Sequence, residues 1–269
     1  MAVLKVFRDL MSFLTTISPT KDESFVETSA RFMFLFPVIA ALIGFLAGLY
    51  SLFTYSLLSV LFGFLDATFF FGSQNAFFFY LTKMLASVMT LAFLFVLTGL
   101  QHLDGLVDVG NALGIRKASV EERIKIAHAW VVTRSGAFMA IIVSFCALVF
   151  IFLTRPEAVI QSLIVAETSA KLAMVTCAWQ GSSSQKGLGS IFLDSMNRRH
   201  GLYLISLVIS MLIGVLLLGL KGVLAVTLGI VVGGLMIVSS KRIFGGVNGD
   251  ILGSTNEIAR MIALFALLW

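Results

Sequence analysis

Charged residues are scarce in this 269-residue chain, where Asp, Glu, Lys and Arg together make up only 12% of the sequence. Hydrophobic residues make up 59%, and the mean hydropathy is +1.02. A soluble domain of this length has no core large enough for so many apolar side chains, whereas a bilayer solvates them. The composition excludes an ordinary soluble enzyme. It predicts one integral membrane domain, residues 1–269, with an all-α fold built as a polytopic bundle of transmembrane helices.

Cysteine is also rare, and its scarcity excludes a thiolate metal site. Cys146 and Cys177 both lie within apolar runs, and there is no third or fourth thiol to complete a metal site. The three histidines, His102, His128 and His200, are not spaced as metal ligands, and each is interpreted as a loop histidine. The sequence has no P-loop, nucleophile elbow or dinucleotide fingerprint. The net charge of +5 is typical of Lys and Arg in loops beside anionic lipid, so no nucleic-acid partner is predicted.

Several apolar runs are long enough to cross a bilayer, which takes about 20 residues each. The predicted spans are 32–53, 76–100, 135–153, 158–179, 202–220, 223–240 and 251–269. An amphipathic interfacial helix is predicted over residues 2–16, within an N-terminal segment 1–31. A further stretch, 55–71, is interrupted by Gly63 and Asp66, and is either an eighth span or an interfacial or re-entrant segment.

The distribution of basic residues favours seven spans. With seven, the loops on one side carry 14 Lys and Arg, and those on the other carry only Arg155 and Lys221. The positive-inside rule then predicts a protein of the cell membrane whose N-terminus and loop 101–134 are cytoplasmic. An eighth span would place the N-terminus outside and weaken the bias. Within that loop, Ser119 and Glu122 form a capping-box pattern, which predicts a short helix to about Trp130.

Two acidic clusters are candidates for chemistry. Asp104, Asp108 and Asn111 are spaced to share one helix face, and their oxygens suit Mg²⁺; alternatively, the acids cap backbone amides beside a solvated loop. The second cluster contains Asp250, followed by Glu257 and Arg260 inside an apolar run. Ionisable groups within a span are usually functional, although an ion pair between Glu257 and Arg260 is the structural alternative.

A third candidate is Glu167 with Lys171, four residues apart in a predicted span. These two side chains either neutralise each other or face a functional cavity. The loop that follows contains Gly187-Leu188-Gly189 and the basic residues Arg198 and Arg199, which are either phosphate contacts or simply topology signals.

These motifs resemble the cobalamin synthase family, the adenosylcobinamide-GDP ribazoletransferases. The strongest matches are His102-Leu103-Asp104-Gly105-Leu106 with Asp108, and Gly245 to Gly253 with Asn256-Glu257. Weaker matches, in the family's order, are Phe13-Leu14-Thr15, Arg31, Phe36-Pro37, Gly44, Glu167, Lys171, Gly187-Leu188-Gly189 and Phe192. The chain departs from the family at Asn111, where another Asp is usual, and over Ala129 to Gly136, which lacks the usual Asp.

The resemblance implies an Mg²⁺-dependent phosphotransferase at the lipid bilayer. A hydroxyl of α-ribazole, or of its 5′-phosphate, would attack adenosylcobinamide-GDP and release GMP. The implied catalytic residues are Asp104, Asp108 and Asp250, and the implied metal ligands are Asp104, Asp108, Asp250 and Glu257. The implied substrate-binding residues are His102, Asn111, Arg116, Lys117, Glu167, Lys171, Arg198, Arg199 and Arg260. A homo-oligomer is compatible with this interpretation, which says nothing about subunit number.

Three rival functions remain open from the sequence. A phosphotransferase acting on CDP-alcohols also uses clustered Asp and Gly, although its longer signature is not visible here. A transporter or channel would use the charges within the spans, helped by a helix break near Gly233-Gly234. A family member that binds corrinoid without catalysis is the third.

Overall fold

The computed structural model describes residues 2–17, 24–69, 76–129 and 131–269, and over these ranges the chain is all-α, as predicted, with no β-strand. The eleven α-helices of the described ranges are α1 (Ala2–Leu14), α2 (Phe25–Arg31), α3 (Phe36–Phe69), α4 (Ala76–Leu97), α5 (Gln101–Leu113), α6 (Val120–Ala127), α7 (Arg134–Leu153), α8 (Val159–Gln180), α9 (Leu188–Asn197), α10 (Leu202–Ile243) and α11 (Gly249–Ala266). Short 3₁₀ turns at Met33–Leu35 and Pro156–Ala158 precede α3 and α8.

Within the described ranges, five helices are long and apolar enough to cross a membrane: α3, α4, α7, α8 and α10. Helix α10 is broken at Gly219, where φ is 57°. A Cβ on Gly222 would lie 2.0 Å from the carbonyl oxygen of Gly214, whereas eight residues of straight helix span about 12 Å. The chain therefore folds back at Gly219 into two arms. The helices α3, α4, α7, α8 and α11, together with the two arms of α10, correspond to the seven predicted spans. That all seven cross the bilayer stays a prediction.

The ambiguous stretch 55–71 is neither a separate span nor a re-entrant segment over its described part. Residues 55–69 continue α3 without a break, and residues 70 and 71 lie outside the described ranges. Helix α3 is therefore about 51 Å long, against a hydrocarbon core of about 30 Å. It pairs with α4 through stacked rings, Tyr50 on Phe93 at 4.4 Å and Phe62 on Phe78 at 5.7 Å.

Helix α8 is the centre of the bundle, and most of its residues are buried against α3, α10 and α11. Glycine permits the closest crossings. A Cβ on Gly44 of α3 would lie 2.4 Å from the carbonyl oxygen of Leu163, and one on Gly229 of α10 would lie 2.3 Å from the Ser169 hydroxyl. Backbones that approach this closely increase van der Waals contact, which drives helix association in lipid.

The elements at the N-terminus and in loop 101–134 are helical. Helix α1 buries Leu10, Met11 and Leu14 and leaves Val3 and Leu4 exposed, as expected for an interfacial helix. The loop predicted over 101–134 contains the helices α5 and α6. The capping box at the start of α6 is confirmed: Ser119 Oγ accepts from the Glu122 amide at 3.2 Å, and Glu122 accepts from the Ser119 amide at 2.8 Å.

Replacing Gly44 by Ala is expected to destabilise the bundle by about 1–3 kcal/mol, because the added methyl group has no space at the crossing with α8. Gly63→Ala in the same helix is the matched control, since no atom lies within 4 Å of its Cβ position. Thermal unfolding of the detergent-solubilised proteins measures the difference. Equal unfolding temperatures for the two variants would contradict the prediction.

Candidate functional site

Helices α5 and α11 cross where Gly105 meets the start of α11. A Cβ on Gly105 would lie 2.8 Å from the carbonyl oxygen of Asp250, and one on Gly253 would lie 3.3 Å from the Cα of His102. The two acidic stretches, which are far apart in the sequence, therefore touch through their backbones. This contact brings Asp104 and Asp108 close to Asp250.

Asp104 and Asp108 line an open cleft of about 520 Å³ together with His128. Asp108 is half-buried, and its pKa is raised to about 6, first by burial and then by the negative charge of Asp250, with a smaller contribution from Asp104. The charge of His128 acts in the opposite direction. Apolar side chains form the remaining walls: Val107, Ala127, Val131 and Val132.

Asp250 is held at the start of α11 by two partners. Asn248 caps the helix, since its Oδ1 accepts from the Ile251 amide at 3.0 Å, and its Nδ2 donates to Asp250 Oδ2 at 2.9 Å. His128 Nε2 lies 3.1 Å from the same carboxylate oxygen. The sequence indicates only a loop histidine at His128 and does not predict this contact. The sequence hints at this contact only indirectly. The capping box predicts where α6 starts, and His128 directly follows the last residue of that helix.

The donor chemistry of this carboxylate group fits Mg²⁺. Mg²⁺ prefers carboxylate and water oxygens, and it is usually bound by one or two carboxylates together with substrate phosphates. The mutual repulsion that raises the pKa of Asp108 is also relieved by a nearby cation. Among the described residues, no three His, Cys, Asp or Glu side chains are already arranged as a metal site. Asp104, Asp108 and Asp250 therefore supply ligand types without a preformed cage.

Asn111 fastens α5 to the segment before α7. Its Nδ2 donates to the carbonyl oxygen of Val131 at 2.9 Å, and its Oδ1 accepts from both the amide and the hydroxyl of Thr133, at 2.9 and 2.8 Å. Gly136 makes room for it, because a Cβ there would lie 2.2 Å from Oδ1. Both lone pairs of the Asn111 oxygen are thus in use. The expectation that this oxygen is offered to a metal or substrate is not met in this conformation.

Charged side chains on α8 and α11 form a buried, formally neutral network. Arg260 donates to Glu167 and, at 2.6 Å, to Glu257. Lys171 Nζ lies 3.6 Å from Glu167 and donates to Asn256 Oδ1 at 2.6 Å, while Asn256 Nδ2 donates to Glu257 at 3.0 Å. Two positive and two negative groups therefore neutralise one another inside the bundle. This is the structural alternative that the sequence left open for these residues.

The network corrects several residue assignments. Glu257 does not join the carboxylates of the cleft, because its two oxygens are bound by Arg260 and Asn256. Glu167, Lys171 and Arg260 are fully buried and paired, so they are not open substrate contacts here. A transport pathway needs ionisable groups facing a cavity, and these groups face one another. The helix break of α10 also lies at Gly219 rather than near Gly233.

His102 lies inside the protein rather than in the cleft. It is buried, and its Nε2 has no hydrogen-bond partner among the described residues. Burial, followed by the charges of Lys171 and Arg260, holds the pKa of His102 well below its usual range, so the ring is neutral. The backbone of His102 contacts α11 at Gly253, and its side chain does not line the cleft, so the substrate role predicted for it has no support in this geometry.

The four predicted phosphate contacts lie on the exposed surface. Arg116 and Lys117 follow the end of α5, and Arg198 and Arg199 follow the end of α9. None of these four side chains lines the cleft that contains Asp104 and Asp108. The phosphate contacts predicted for these residues stay predictions.

Small residues also bring α9 and its preceding loop to the start of α11. A Cβ on Gly189 would lie 2.7 Å from the Gly249 amide nitrogen. The loop pairs with the segment before α11 through the Val247 amide, which donates to the Ser182 carbonyl at 2.8 Å, and the Ser184 amide, which donates to the Val247 carbonyl at 3.1 Å. Within the Gly187-Leu188-Gly189 stretch, Gly189 therefore serves close packing, whereas a Cβ on Gly187 would meet no atom within 4 Å.

Fold and site together define a class: a membrane-embedded, all-α protein that gathers carboxylates from two distant helices beside an open cleft. The chain belongs to the cobalamin-5-phosphate synthase family, whose model matches residues 6–268.

Relatives of the chain carry a common name. A protein of Methanocella arvoryzae named adenosylcobinamide-GDP ribazoletransferase is 35% identical over 68% of this chain and 75% of its own. Proteins with the same name from Methanococcoides burtonii and Methanosarcina barkeri are 34% and 26% identical. The match to the Methanococcoides burtonii protein covers 73% of this chain and 77% of the relative. The match to the Methanosarcina barkeri protein covers 98% of this chain and 91% of the relative. No solved structure matches the chain.

Replacing Arg260 by Leu is expected to cost about 3–5 kcal/mol of stability, because Glu167 and Glu257 would remain buried without their main partner. The double variant Glu167→Gln/Arg260→Leu restores neutrality and should recover part of that loss. Unfolding in detergent, compared as a double-mutant cycle, measures both effects. An Arg260→Leu protein as stable as the unmodified one would show that the network does not stabilise the bundle.

Proposed function

We propose that this chain is an adenosylcobinamide-GDP ribazoletransferase that acts at the cytoplasmic face of the cell membrane. The observation that carries the proposal is the contact of α5 with α11 at Gly105, which places Asp104 and Asp108 beside Asp250. Family membership and the name shared by the relatives identify the reaction that such a group would serve.

The proposed reaction is one phosphoryl transfer. A hydroxyl oxygen of α-ribazole, or of its 5′-phosphate, forms a bond to the phosphorus that carries the cobinamide side of adenosylcobinamide-GDP. The bond from that phosphorus to the oxygen of GMP breaks, and GMP leaves with the electron pair. The hydroxyl proton passes to a free carboxylate of the cleft or to a water molecule held there. The product is a phosphodiester that joins the lower ligand to the corrinoid.

Phosphoryl transfer depends on positioning and on positive charge around the phosphates. Asp104, Asp108 and Asp250 would hold Mg²⁺, which when bound neutralises phosphate charge. His128 orients the Asp250 carboxylate, and Asn248 holds it from the other side. The apolar wall formed by Val107, Val131 and Val132 suits an aromatic base.

The orientation is part of the proposal. The site lies on the side whose loops carry 14 Lys and Arg, against two on the other side. The positive-inside rule predicts that this side faces the cytoplasm. The rival that acts on CDP-alcohols releases CMP, so the identity of the released nucleotide separates it from this proposal.

Asp104→Ala and Asp108→Ala are each expected to reduce product formation at least about a hundredfold, because each removes a carboxylate from the reacting centre. Glu157→Ala is the control, since it removes an exposed carboxylate at the opposite end of the bundle. The assay incubates purified protein with adenosylcobinamide-GDP and α-ribazole and measures the corrinoid product and GMP. Unchanged turnover in either Asp variant would refute the assigned site.

Removal of divalent cations with a chelator is expected to stop product formation, and added Mg²⁺ is expected to restore it. The physical reason is that carboxylates alone repel the phosphates of the donor. Thermal unfolding should change little on chelation, because the buried network and the helix crossings involve no metal. Full activity after complete chelation would remove Mg²⁺ from the proposal.

A further inference from the structure

A second open pocket, of about 600 Å³, lies beside the loop that pairs with Val247. Gly181 and Ser182 of that loop line the pocket, and Ser182 is bonded to Val247, three residues before Asp250. The pocket therefore opens next to the segment that positions Asp250. The other lining residues are Trp179, Gln180, Asn197, His200 and Lys241, and we name this set the Trp179 pocket.

The aromatic wall of the Trp179 pocket is fixed in place. The Trp179 ring stacks on Tyr203 with centroids 4.1 Å apart and planes 5° from parallel, and His200 approaches its edge at 6.4 Å. The indole N–H of Trp179 is buried and has no hydrogen-bond partner among the described residues. Because this nitrogen is closed to the pocket, the wall offers a ligand the face of the indole ring rather than its N–H.

The remaining lining is polar and basic. Gln180 and Lys241 are exposed, so their side chains are available to a ligand, and Asn197 is anchored by donating to the Gly181 carbonyl at 3.2 Å. Exposed basic residues continue around the same end of the bundle, with Arg198 and Arg199 directly before His200 and Arg242 directly after Lys241. Amides recognise the hydrogen-bonding edge of a base, and basic side chains bind phosphate.

The two cavities near Asp250 thus differ in chemistry. The cleft with Asp104 and Asp108 has apolar walls, which suit an aromatic base with few polar groups. The Trp179 pocket combines aromatic rings, amides and a cation, which suit a purine nucleotide. The proposed reaction uses one substrate of each kind, a ribazole and a guanosine nucleotide.

We propose that the Trp179 pocket binds the guanosine monophosphate part of the donor, with Gln180 at the edge of the base and Lys241 at the phosphate. This assignment rests on the proposed function and extends it to a named subsite. It also gives Arg198 and Arg199, which lie far from the carboxylates in the sequence, a place at the rim of a nucleotide site.

The test measures GMP binding to the detergent-solubilised full chain by titration calorimetry. Lys241→Ala is expected to weaken GMP binding about ten- to a hundredfold, the range for loss of a charged hydrogen bond. Gln180→Ala is expected to weaken it about two- to tenfold, the range for a neutral one. In the transfer assay, both variants should raise KM for adenosylcobinamide-GDP and leave KM for α-ribazole unchanged.

Lys221→Ala is the matched control, because it removes the same charge at the distant turn of α10. If it weakens GMP binding as much as Lys241→Ala, the effect is general electrostatics and the subsite is wrong. Unchanged GMP binding and KM in both pocket variants, with normal product formation, would also overturn the subsite while leaving the proposed function intact. Equal affinity for GMP and inorganic phosphate would overturn the role of Gln180. Absence of corrinoid product from the unmodified protein would instead refute the proposed function.

Discussion

The structure depends on the buried contact between α8 and α11, where Arg260 and Lys171 meet Glu167 and Glu257. The bilayer core contains no water to solvate a charge that loses its partner, so only a narrow range of helix positions satisfies all four groups. The requirement fixes the rotation and depth of α11 against α8. It therefore also fixes where α11 begins, and with it the position of Asp250.

Glycines in the neighbouring helices allow those helices to pack closely against the start of α11. Gly105 lets α5 lie against the Asp250 backbone, and Gly189 lets α9 approach the Gly249 amide. Neither contact is possible with a side chain at the glycine. The start of α11 is consequently contacted by two helices from different parts of the chain, which is how residues distant in sequence come together in one site.

Much of this architecture could be predicted from the sequence, because apolar length and the capping box are local signals. The helices, the reversal within 202–240 and the start of α6 at Ser119 follow from such signals. The contact of His128 with Asp250 could not be predicted, since it depends on how α6 packs after it ends. The continuity of α3 through Gly63 was also missed, because a glycine and an acid in a Phe-rich run resemble an interruption.

Spacing alone could not separate the acids of the cleft from those of the network. Asp104 and Asp108 are four residues apart, and so are Glu167 and Lys171, and both pairs suggest a shared helix face. The two pairs differ in their hydrogen-bond partners. The oxygens of Glu167 are bound by cationic side chains within the bundle, whereas Asp108 faces an open cleft and has the Asp250 carboxylate as its strongest charged neighbour. A carboxylate whose oxygens all have partners stabilises the fold. A carboxylate with a free oxygen can bind a metal ion or a proton. The three-dimensional partners of each acid, rather than its position in a motif, therefore decide which acids are available for chemistry.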